Sequence, residues 1–185
     1  EFRRVLFRLT LASLPLRSFV SLRGQWAKGG FGMEVADLDV RLLDEQEKEN
    51  FLAGSGTLKK KQEADLKEIC MFIKGMNDPR IRALCIEFIE QFGERLQRAA
   101  AARTYHHARR GGLVEHVAGM MRTASAVCQA NPELNRDLLL AGCLFHDCGK
   151  LWENCYPKED FTMPYSEAGE LLGHIPLGIE LVNNL

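Results

Sequence analysis

Residues 137–150, DLLLAGCLFHDCGK, form an apolar stretch that ends by placing a histidine beside an aspartate. Between Leu138 and Phe145 nearly every side chain is apolar or small, which predicts a helix buried on all sides. A buried carboxylate is costly unless it is paired or binds a metal, so Asp147 needs a nearby cation. A divalent ion held by His146 and Asp147 is the simplest candidate. The alternative is an ordinary helix end with a neutral histidine and a solvated aspartate.

The two residues after this dyad suggest further roles. Gly149 suits the left-handed conformation that often follows a helix. Lys150 comes at the negative end of the helix dipole, where its ammonium group can meet a substrate phosphate. The helix end therefore combines candidate metal ligands with a candidate phosphate-binding cation.

Composition limits the possible partners. The 185 residues are 46% hydrophobic, enough for one good core and a small appendage. The formal net charge is −1, so the whole chain does not attract nucleic acid, and any phosphate binding must come from a local patch or a metal. The six cysteines lie mostly in apolar helical patterns without a C-x-x-C pair, which predicts a reduced, cytoplasmic protein.

A zinc cluster of Cys143, His146, Cys148 and Cys155 is the competing interpretation of the same region, since the cysteine spacing is usual for zinc. Positions five apart on a helix point away from each other, so Cys143 and Cys148 cannot share one ion unless the helix breaks between them. We therefore disfavour zinc here.

The N-terminal part predicts strands. Residues 1–17 are basic and apolar but show no cleavage pattern of a targeting peptide, so we expect a chain that starts within a longer protein. Ser18–Gln25 and Gly32–Leu42 alternate as two strands around a glycine turn, with a phase slip near Val35 that indicates a β-bulge. An isolated hairpin is marginal in water, so we expect these to be the last strands of a small barrel, with packing on the helical domain as the alternative. At the tip, Trp26, Lys28 and Phe31 can stack on single-stranded nucleic acid or simply cover core.

Helices follow a charged stretch. Residues 44–62 are charged and contain glycine, which favours a linker, and no stretch approaches the length of a membrane span. From residue 63 onward the apolar spacing is helical, with Asn77-Asp78-Pro79 between the first two helices. The final pattern, 176–185, ends without a cap, so we expect a truncated C-terminus.

The one basic region surrounds Tyr105 and two histidines. Its candidate substrate-binding side chains are Arg103, His106, His107, Arg109 and Arg110. A charge run is usually a solvated face, and that interpretation stays open at this point.

Two more histidines are candidate ligands. A helix from 111 to about 130 has its apolar stripe on Leu113, Val117, Met120, Ala124 and Val127, and His116 lies on the flank of that stripe, facing inward. Such a histidine is more often a core residue, but the His146-Asp147 pair thirty residues later makes it a plausible third ligand. His174 lies at the boundary between two short helices, where the backbone can aim it into a site, although a surface histidine would look the same.

Together these residues resemble a known family. His116 and the HD-x-G-K string at 146–150 resemble the HD superfamily of metal-dependent phosphohydrolases, which are all-helical. The segments HHARRGGLVEH (106–116), LLLAGCLFHDCGK (138–150) and EAGELLGHIPLGIELV (167–182) resemble the YhaM-type 3′→5′ exoribonucleases, which join an OB-fold to an HD domain. The resemblance covers about residues 18–185 and is strongest from Tyr105 onward.

The resemblance implies a mainly α fold: an HD-domain helical bundle over 63–185, C-terminally truncated, preceded by a β-hairpin remnant of an OB-fold in 1–43 and a linker at 44–62. It implies that His116, His146 and Asp147 hold a first divalent ion, that His174 belongs to a neighbouring second site, and that Lys150 faces substrate phosphate. The family's later ligands have no counterpart before Leu185.

The implied chemistry is phosphodiester hydrolysis. A mixed histidine and carboxylate set suits Mn²⁺ first, with Fe²⁺, Co²⁺ or Mg²⁺ as alternatives. The metal would activate a water, and Asp147 can serve as both ligand and proton acceptor. The implied partner is single-stranded RNA, with DNA as an alternative, no membrane, and homo-oligomerisation left open.

Two other functions compete with the exoribonuclease. One is an HD-family nucleotide phosphohydrolase; an enzyme for cyclic dinucleotides is disfavoured because no Gly-Tyr-Pro follows the histidines. The other is a non-catalytic RNA-binding HD module, disfavoured because the ligands of the first half are all present.

Overall fold

The computed structural model describes residues 14–15, 18–29, 32–53, 55–102, 109–155 and 164–185. Contacts divide the chain into two compact units, Glu1–Ala53 and Gly54–Leu185. In the described ranges, no helix is both long and apolar enough to cross a membrane.

The first unit contains the expected hairpin. Strands β1 (Val20–Gly29) and β2 (Gly32–Leu42) pair antiparallel. The register jumps from Arg23 opposite Asp39 to Gln25 opposite Ala36, which confirms the bulge that the phase slip predicts. The prediction of a tip for nucleic-acid stacking involves Phe31 and the side chain of Trp26, which lie outside the described residues. The OB-fold stays a prediction.

The predicted linker at 44–62 is wrong in its secondary structure. Helix α1 spans Glu45–Ala53, and helix α2 begins at Gly56. The Asp44 carboxylate accepts a hydrogen bond from the Glu47 amide at 2.8 Å, while Glu47 accepts one from the Asp44 amide at 3.1 Å, so the two residues cap α1 reciprocally. Most of the polar residues that suggested a linker are Glu, Lys and Gln, which are good helix formers.

The regular elements described in the second unit are all helices: α2 (Gly56–Lys74), α3 (Pro79–Arg98), α4 (Gly112–Ala130), α5 (Arg136–Phe145), α6 (Lys150–Glu153), α7 (Glu167–Leu172) and α8 (His174–Asn183). Helix α4 lies against α2, α3 and α5, whereas α6 packs against the two short helices α7 and α8.

Aromatic contacts join α3 to the end of α5 and to α6. The Phe88 ring lies edge-on to Phe145 with centroids 5.3 Å apart, and the Phe92 ring lies edge-on to Trp152 at 4.9 Å. The Arg95 guanidinium covers Trp152, and its Nε donates a hydrogen bond to the Leu151 carbonyl at 2.6 Å. These contacts hold both chain segments that flank the His146-Asp147 dyad.

Two predictions of burial need correction. Helix α5 is not buried on all sides, because Leu138 is 62% exposed and Leu139 37%. On α4, Met120 and Val127 are exposed, and the buried stripe is rotated toward Val114, Ala118, Met121 and Cys128. Both errors have one cause: within the described residues, neighbouring helices cover only one side of α5, and the outer face of α4 beside it stays open.

The conformation predicted for Gly149 is also wrong. Its φ is −62°, in the right-handed helical region. A Cβ at this position would lie 1.8 Å from the His174 carbonyl oxygen and 2.6 Å from the Gly178 amide nitrogen, so the backbones of α6 and α8 touch at Gly149. The left-handed glycines are Gly111 and Gly173, which precede α4 and α8 with φ of 74° and 73°.

This contact makes Gly149→Ala a sharp test of the fold. The added methyl must push α8 away from α6, so we expect the free energy of unfolding to fall by about 2 kcal/mol or more. Chemical denaturation followed by circular dichroism measures the loss.

Gly142→Ala is the matched control. Gly142 lies inside α5, and a Cβ added there would have no atom within 4 Å, so alanine should stabilise the helix by about 0.5–1 kcal/mol. Equal effects of the two substitutions would show that the α6–α8 contact does not constrain the fold.

Candidate metal centre

Three side chains from two helices converge at the end of α5. His116 projects from α4, and His146 and Asp147 follow the last turn of α5. The two Nε2 atoms of His116 and His146 are 3.1 Å apart. Asp147 Oδ2 lies 3.5 Å from His116 Nε2 and 3.4 Å from His146 Nε2. Among the described residues, these three form the one group of histidine, cysteine and carboxylate side chains with metal-ligand spacing.

The spacing fits a single divalent ion. Ligand atoms bound about 2.1 Å from one ion are separated by about 3.0 Å at a right angle and about 3.4 Å at a tetrahedral angle. The three observed separations are 3.1, 3.4 and 3.5 Å, within about 0.1 Å of this range, so only a small adjustment of the side chains is needed. The set contains no cysteine, which agrees with the rejection of a zinc cluster.

The ring of His146 is oriented for metal binding. Its Nδ1 lies 2.9 Å from the Cys143 carbonyl oxygen, an acceptor, so Nδ1 carries the proton and Nε2 presents a lone pair. The side chain of His146 is 36% exposed and that of Asp147 is 10% exposed. The carboxylate is therefore buried as predicted, whereas His146 borders solvent.

His174 reaches the same carboxylate from the opposite side. Its Nε2 lies 3.6 Å from Asp147 Oδ1, the oxygen that does not face the other two histidines. Gly173 precedes α8 with a positive φ and turns the chain so that His174 faces the centre. The structure thus brings together all four residues proposed as ligands.

Glu153 is a site residue that the sequence analysis missed. Its Oε1 accepts hydrogen bonds from the His174 backbone amide at 3.1 Å and from the His174 Nδ1 at 3.0 Å. In the sequence, a single acid in a four-residue helix is most simply interpreted as a solvated side chain. Its position three residues after Lys150 is the one signal that could have identified it as a site residue.

Lys150 is paired within the site. Its Nζ donates to Asp147 Oδ2 and to the Ala101 carbonyl, at 2.8 and 2.7 Å. The Lys150 side chain is 19% exposed, so its ammonium neutralises the buried carboxylate and also ties residues 99–102 to the centre. A contact between Lys150 and phosphate stays a prediction.

The electrostatic environment of the His146-Asp147 dyad favours the ionised form of Asp147. Burial by itself would raise the pKa of Asp147, but a protonated His146 and Lys150, through their hydrogen bonds and charges, outweigh burial and lower the pKa strongly. In the protonated ring, Nε2 also carries a proton and donates to Asp147, which raises the pKa of His146; the lone pair at Nε2 belongs to the neutral ring. Asp147 is therefore ionised at neutral pH and ready to bind a cation.

A polar network fixes the start of α4 next to His116. The buried Glu115 carboxylate accepts a hydrogen bond from Arg109, whose Nη2 lies 2.7 Å from Oε2. Two side chains of α2 also donate to it: Gln62 Nε2 lies 2.9 Å from Oε1, and Lys61 Nζ lies 3.1 Å from Oε2. Gly111 completes the junction, because its φ of 74° and the close Gln62 side chain exclude a Cβ. An acid in the first turn of a helix is common, so the sequence did not single out Glu115.

The basic region is only partly described. Arg103, His106 and His107 lie outside the described residues. Arg109 makes the bidentate salt bridge to Glu115, and Arg110 is half-buried, with a pKa lowered by burial and by the charge of Arg98. The structure therefore assigns Arg109 a structural partner and leaves its predicted phosphate contact as a prediction.

Comparisons with known proteins agree with this geometry. The family model of the HD domain matches residues 113–185, which contain all four candidate ligands. The chain is similar to "3'-5' exoribonuclease YhaM" from Oceanobacillus iheyensis, with 34% identity over 146 residues, 77% of this chain and 44% of that protein. No solved structure matches significantly.

Other relatives carry the same name. The YhaM protein of a Geobacillus strain is 35% identical over 63% of this chain and 35% of its own length, and that of Listeria welshimeri is 33% identical over 69% and 39%. The chain spans less than half the length of these curated relatives.

Glu115→Gln tests the network beside His116. Burial alone would raise the pKa of Glu115, but hydrogen bonds from Arg109, Gln62 and Lys61 lower it from 4.5 to about 2. Because the folded pKa is depressed, the stabilisation is complete above about pH 5 and is lost as pH falls toward 2. At pH 7 the variant should lose about 1–3 kcal/mol, a range discounted for the half-exposed Lys61 and Arg109.

Denaturation at several pH values checks this prediction. The difference between wild type and Glu115→Gln should stay constant from pH 7 to 5 and shrink between about pH 4.5 and 2. Glu63→Gln, on the exposed side of α2, is the control and should change stability little at any pH. A pH-independent difference would mean that the charge of Glu115 contributes nothing.

Proposed function

Since residues 113–185 are an HD domain, we propose that this chain is a metal-dependent phosphodiester hydrolase that degrades single-stranded RNA from the 3′ end. The observation that carries the proposal is the group of His116, His146 and Asp147, whose ligand atoms lie 3.1 to 3.5 Å apart around one buried carboxylate. The YhaM relatives, named as 3′-5′ exoribonucleases, support the choice of reaction and direction.

Each site residue has a proposed role. His116, His146 and Asp147 hold a first divalent ion, for which Mn²⁺ is the proposed identity because histidine nitrogen suits it better than Mg²⁺. Such an ion supplies the positive charge that activates water and stabilises the phosphate oxygens. Asp147 is the proposed proton acceptor, since its carboxylate lies at the point where the ligands converge.

Lys150 positions this carboxylate. Its salt bridge with Asp147 Oδ2 and its bond to Ala101 fix the carboxylate relative to residues 99–102. The ammonium also supplies a positive charge beside the position proposed for the scissile phosphate. His174 is the proposed ligand of a neighbouring second ion, through its Nε2 next to Asp147 Oδ1.

Substrate binding is proposed for the basic region. Residues 103–108 connect Ala101 and Ala102, at the Lys150 contact, to Arg109 and Arg110, which precede the helix of His116. Arg103, His106 and His107 are proposed substrate-binding residues because they belong to the one basic region of the sequence. Arg110, a half-buried cation of the same region, is proposed to contact a backbone phosphate.

A cytoplasmic location is part of the proposal. All six cysteines are free thiols, which is usual in a reducing compartment.

Asp147→Asn tests the proposed reaction. The substitution keeps the shape of the side chain but removes its charge, so Mn²⁺ binding should weaken and RNA hydrolysis should fall by at least about 100-fold. The assay follows shortening of 5′-labelled single-stranded RNA with Mn²⁺, beside reactions with nucleoside triphosphates. Shortening from the 3′ end supports the proposal, and hydrolysis of triphosphates alone would favour a nucleotide phosphohydrolase.

Asp137→Asn is the matched control for this experiment. Asp137 is a buried carboxylate in the first turn of the same helix, at the opposite end from the ligands, and its Oδ2 accepts hydrogen bonds from the Asn77 and Asp78 amides. The variant should lose stability but keep its activity per folded molecule. Equal activity of Asp147→Asn and wild type at matched metal loading would contradict the proposal.

Arg110→Ala tests the substrate contact. Losing one phosphate contact should raise KM for RNA and reduce the slope of log affinity against log salt by about 0.7, while kcat changes less. Arg80→Ala, a 90% exposed arginine at the start of α3, should leave both quantities unchanged. An unchanged salt slope in Arg110→Ala would make this arginine a structural residue.

A further inference from the structure

Glu153 and His174 form a pair that the proposed reaction does not use directly. The Glu153 side chain is 14% exposed, and its Oε1 lies 3.0 Å from Nδ1 of His174, whose Nε2 lies 3.6 Å from Asp147 Oδ1. The ring of His174 therefore lies between the carboxylates of Glu153 and Asp147. In the neutral ring, which is the form that binds a metal, the two nitrogens have different roles: one carries a proton and the other a lone pair.

The acceptor at Nδ1 decides those roles. An ionised carboxylate only accepts hydrogen bonds, so a neutral His174 must carry its proton on Nδ1 and present a lone pair at Nε2. That lone pair points toward Asp147 Oδ1, which is also an acceptor. In this neutral form, the two acceptors lie 3.6 Å apart beside the buried Asp147 carboxylate, and a cation between them would stabilise the arrangement.

Contacts from α7 and from the residue that precedes it fix the backbone at Glu153. Its backbone carbonyl accepts a hydrogen bond from the Ser166 amide at 2.9 Å, and Ser166 Oγ donates to the neighbouring Trp152 carbonyl at 2.6 Å. A Cβ on Gly169 would lie 2.1 Å from the Glu153 carbonyl oxygen, so α7 packs directly on this backbone. The second bond to Glu153 Oε1, from the His174 amide at 3.1 Å, ties the first residue of α8 to the same carboxylate.

We propose that Glu153 is the positioning residue of a second cation site: it sets the tautomer and orientation of His174 so that His174 Nε2 and Asp147 Oδ1 share a divalent ion. This inference rests on the proposed metal-dependent function and adds the residue that enforces the second position. Asp147 then serves both sites, with Oδ2 toward His116 and His146 and with Oδ1 toward His174.

The tautomer is tested without any metal. In the metal-free protein, the ¹⁵N chemical shifts of the His174 ring should show a proton on Nδ1 in wild type. In Glu153→Ala the population should shift toward the Nε2–H form, which is the more stable tautomer of a neutral histidine side chain in water. Glu170→Ala, an exposed glutamate on the neighbouring α7, is the control and should keep the wild-type shifts. Unchanged ring shifts in Glu153→Ala would overturn the proposal.

The second ion is tested by equilibrium titration of the full chain with Mn²⁺. Wild type should bind two ions, and Glu153→Ala should keep the first affinity while the second weakens by about 10- to 100-fold. Glu153→Gln retains a carbonyl acceptor for Nδ1 and should recover part of this loss. His174→Ala should weaken the same ion, and the double variant should be no weaker than His174→Ala alone, because Glu153 acts through His174.

The outcomes separate this proposal from the proposed function. Wild type that binds one ion, or Glu153→Ala that binds two with wild-type affinities, overturns the second site while a one-ion hydrolase survives. Parallel weakening of both ions, with a lowered unfolding midpoint, would show that Glu153 supports only the fold. Absence of RNA hydrolysis would refute the exoribonuclease. The ring shifts and the metal stoichiometry would still decide whether Glu153 positions a second cation site.

Discussion

The carboxylate of Asp147 is the group on which the rest of the site depends. It is almost completely buried, yet it is ionised, because Lys150 donates to it and the charges of Lys150 and a protonated His146 favour the carboxylate. A charge in that position would destabilise the fold if its partners were absent. The helices must therefore bring His116, His146 and His174 to within 3.4 to 3.6 Å of its two oxygens, and the same constraint makes a cation site.

Close backbone contacts meet this constraint for the last histidine. His174 lies on a short helix that cannot be stable alone, and it is held because Gly149 and Gly169 let three chain segments touch without side chains between them. Glu153 then orients the ring of His174, since its carboxylate is hydrogen-bonded to both the backbone amide and the ring of that residue. The close packing at Gly149 and Gly169 thus fixes the position of His174 relative to Asp147.

The sequence predicted the ligands better than their surroundings. His116, His146 and Asp147 were predictable because a buried charge pair at a helix end needs a cation, and helical spacing limits which histidine can reach it. Glu153 was not, because its partner comes from a helix twenty-one residues later and a lone acid carries no periodic signal. The helix in 45–53 was missed since charged residues are compatible with a linker and with a capped helix. The exposed face of α5 depends on which neighbours cover it, and composition does not encode that.

Charge balance links the two proposed ions to the substrate. With neutral imidazoles, the described charged groups at the centre are Asp147 and Glu153, both negative, and Lys150, positive, which sum to one negative charge. One divalent ion at the first ligand set changes that sum to one positive charge, and a second ion would add two more within a few ångströms. Such a cluster is stabilised further when another anion joins it. A phosphodiester supplies that anion, so substrate should strengthen the binding of the ion at His174, and that ion should strengthen the binding of substrate.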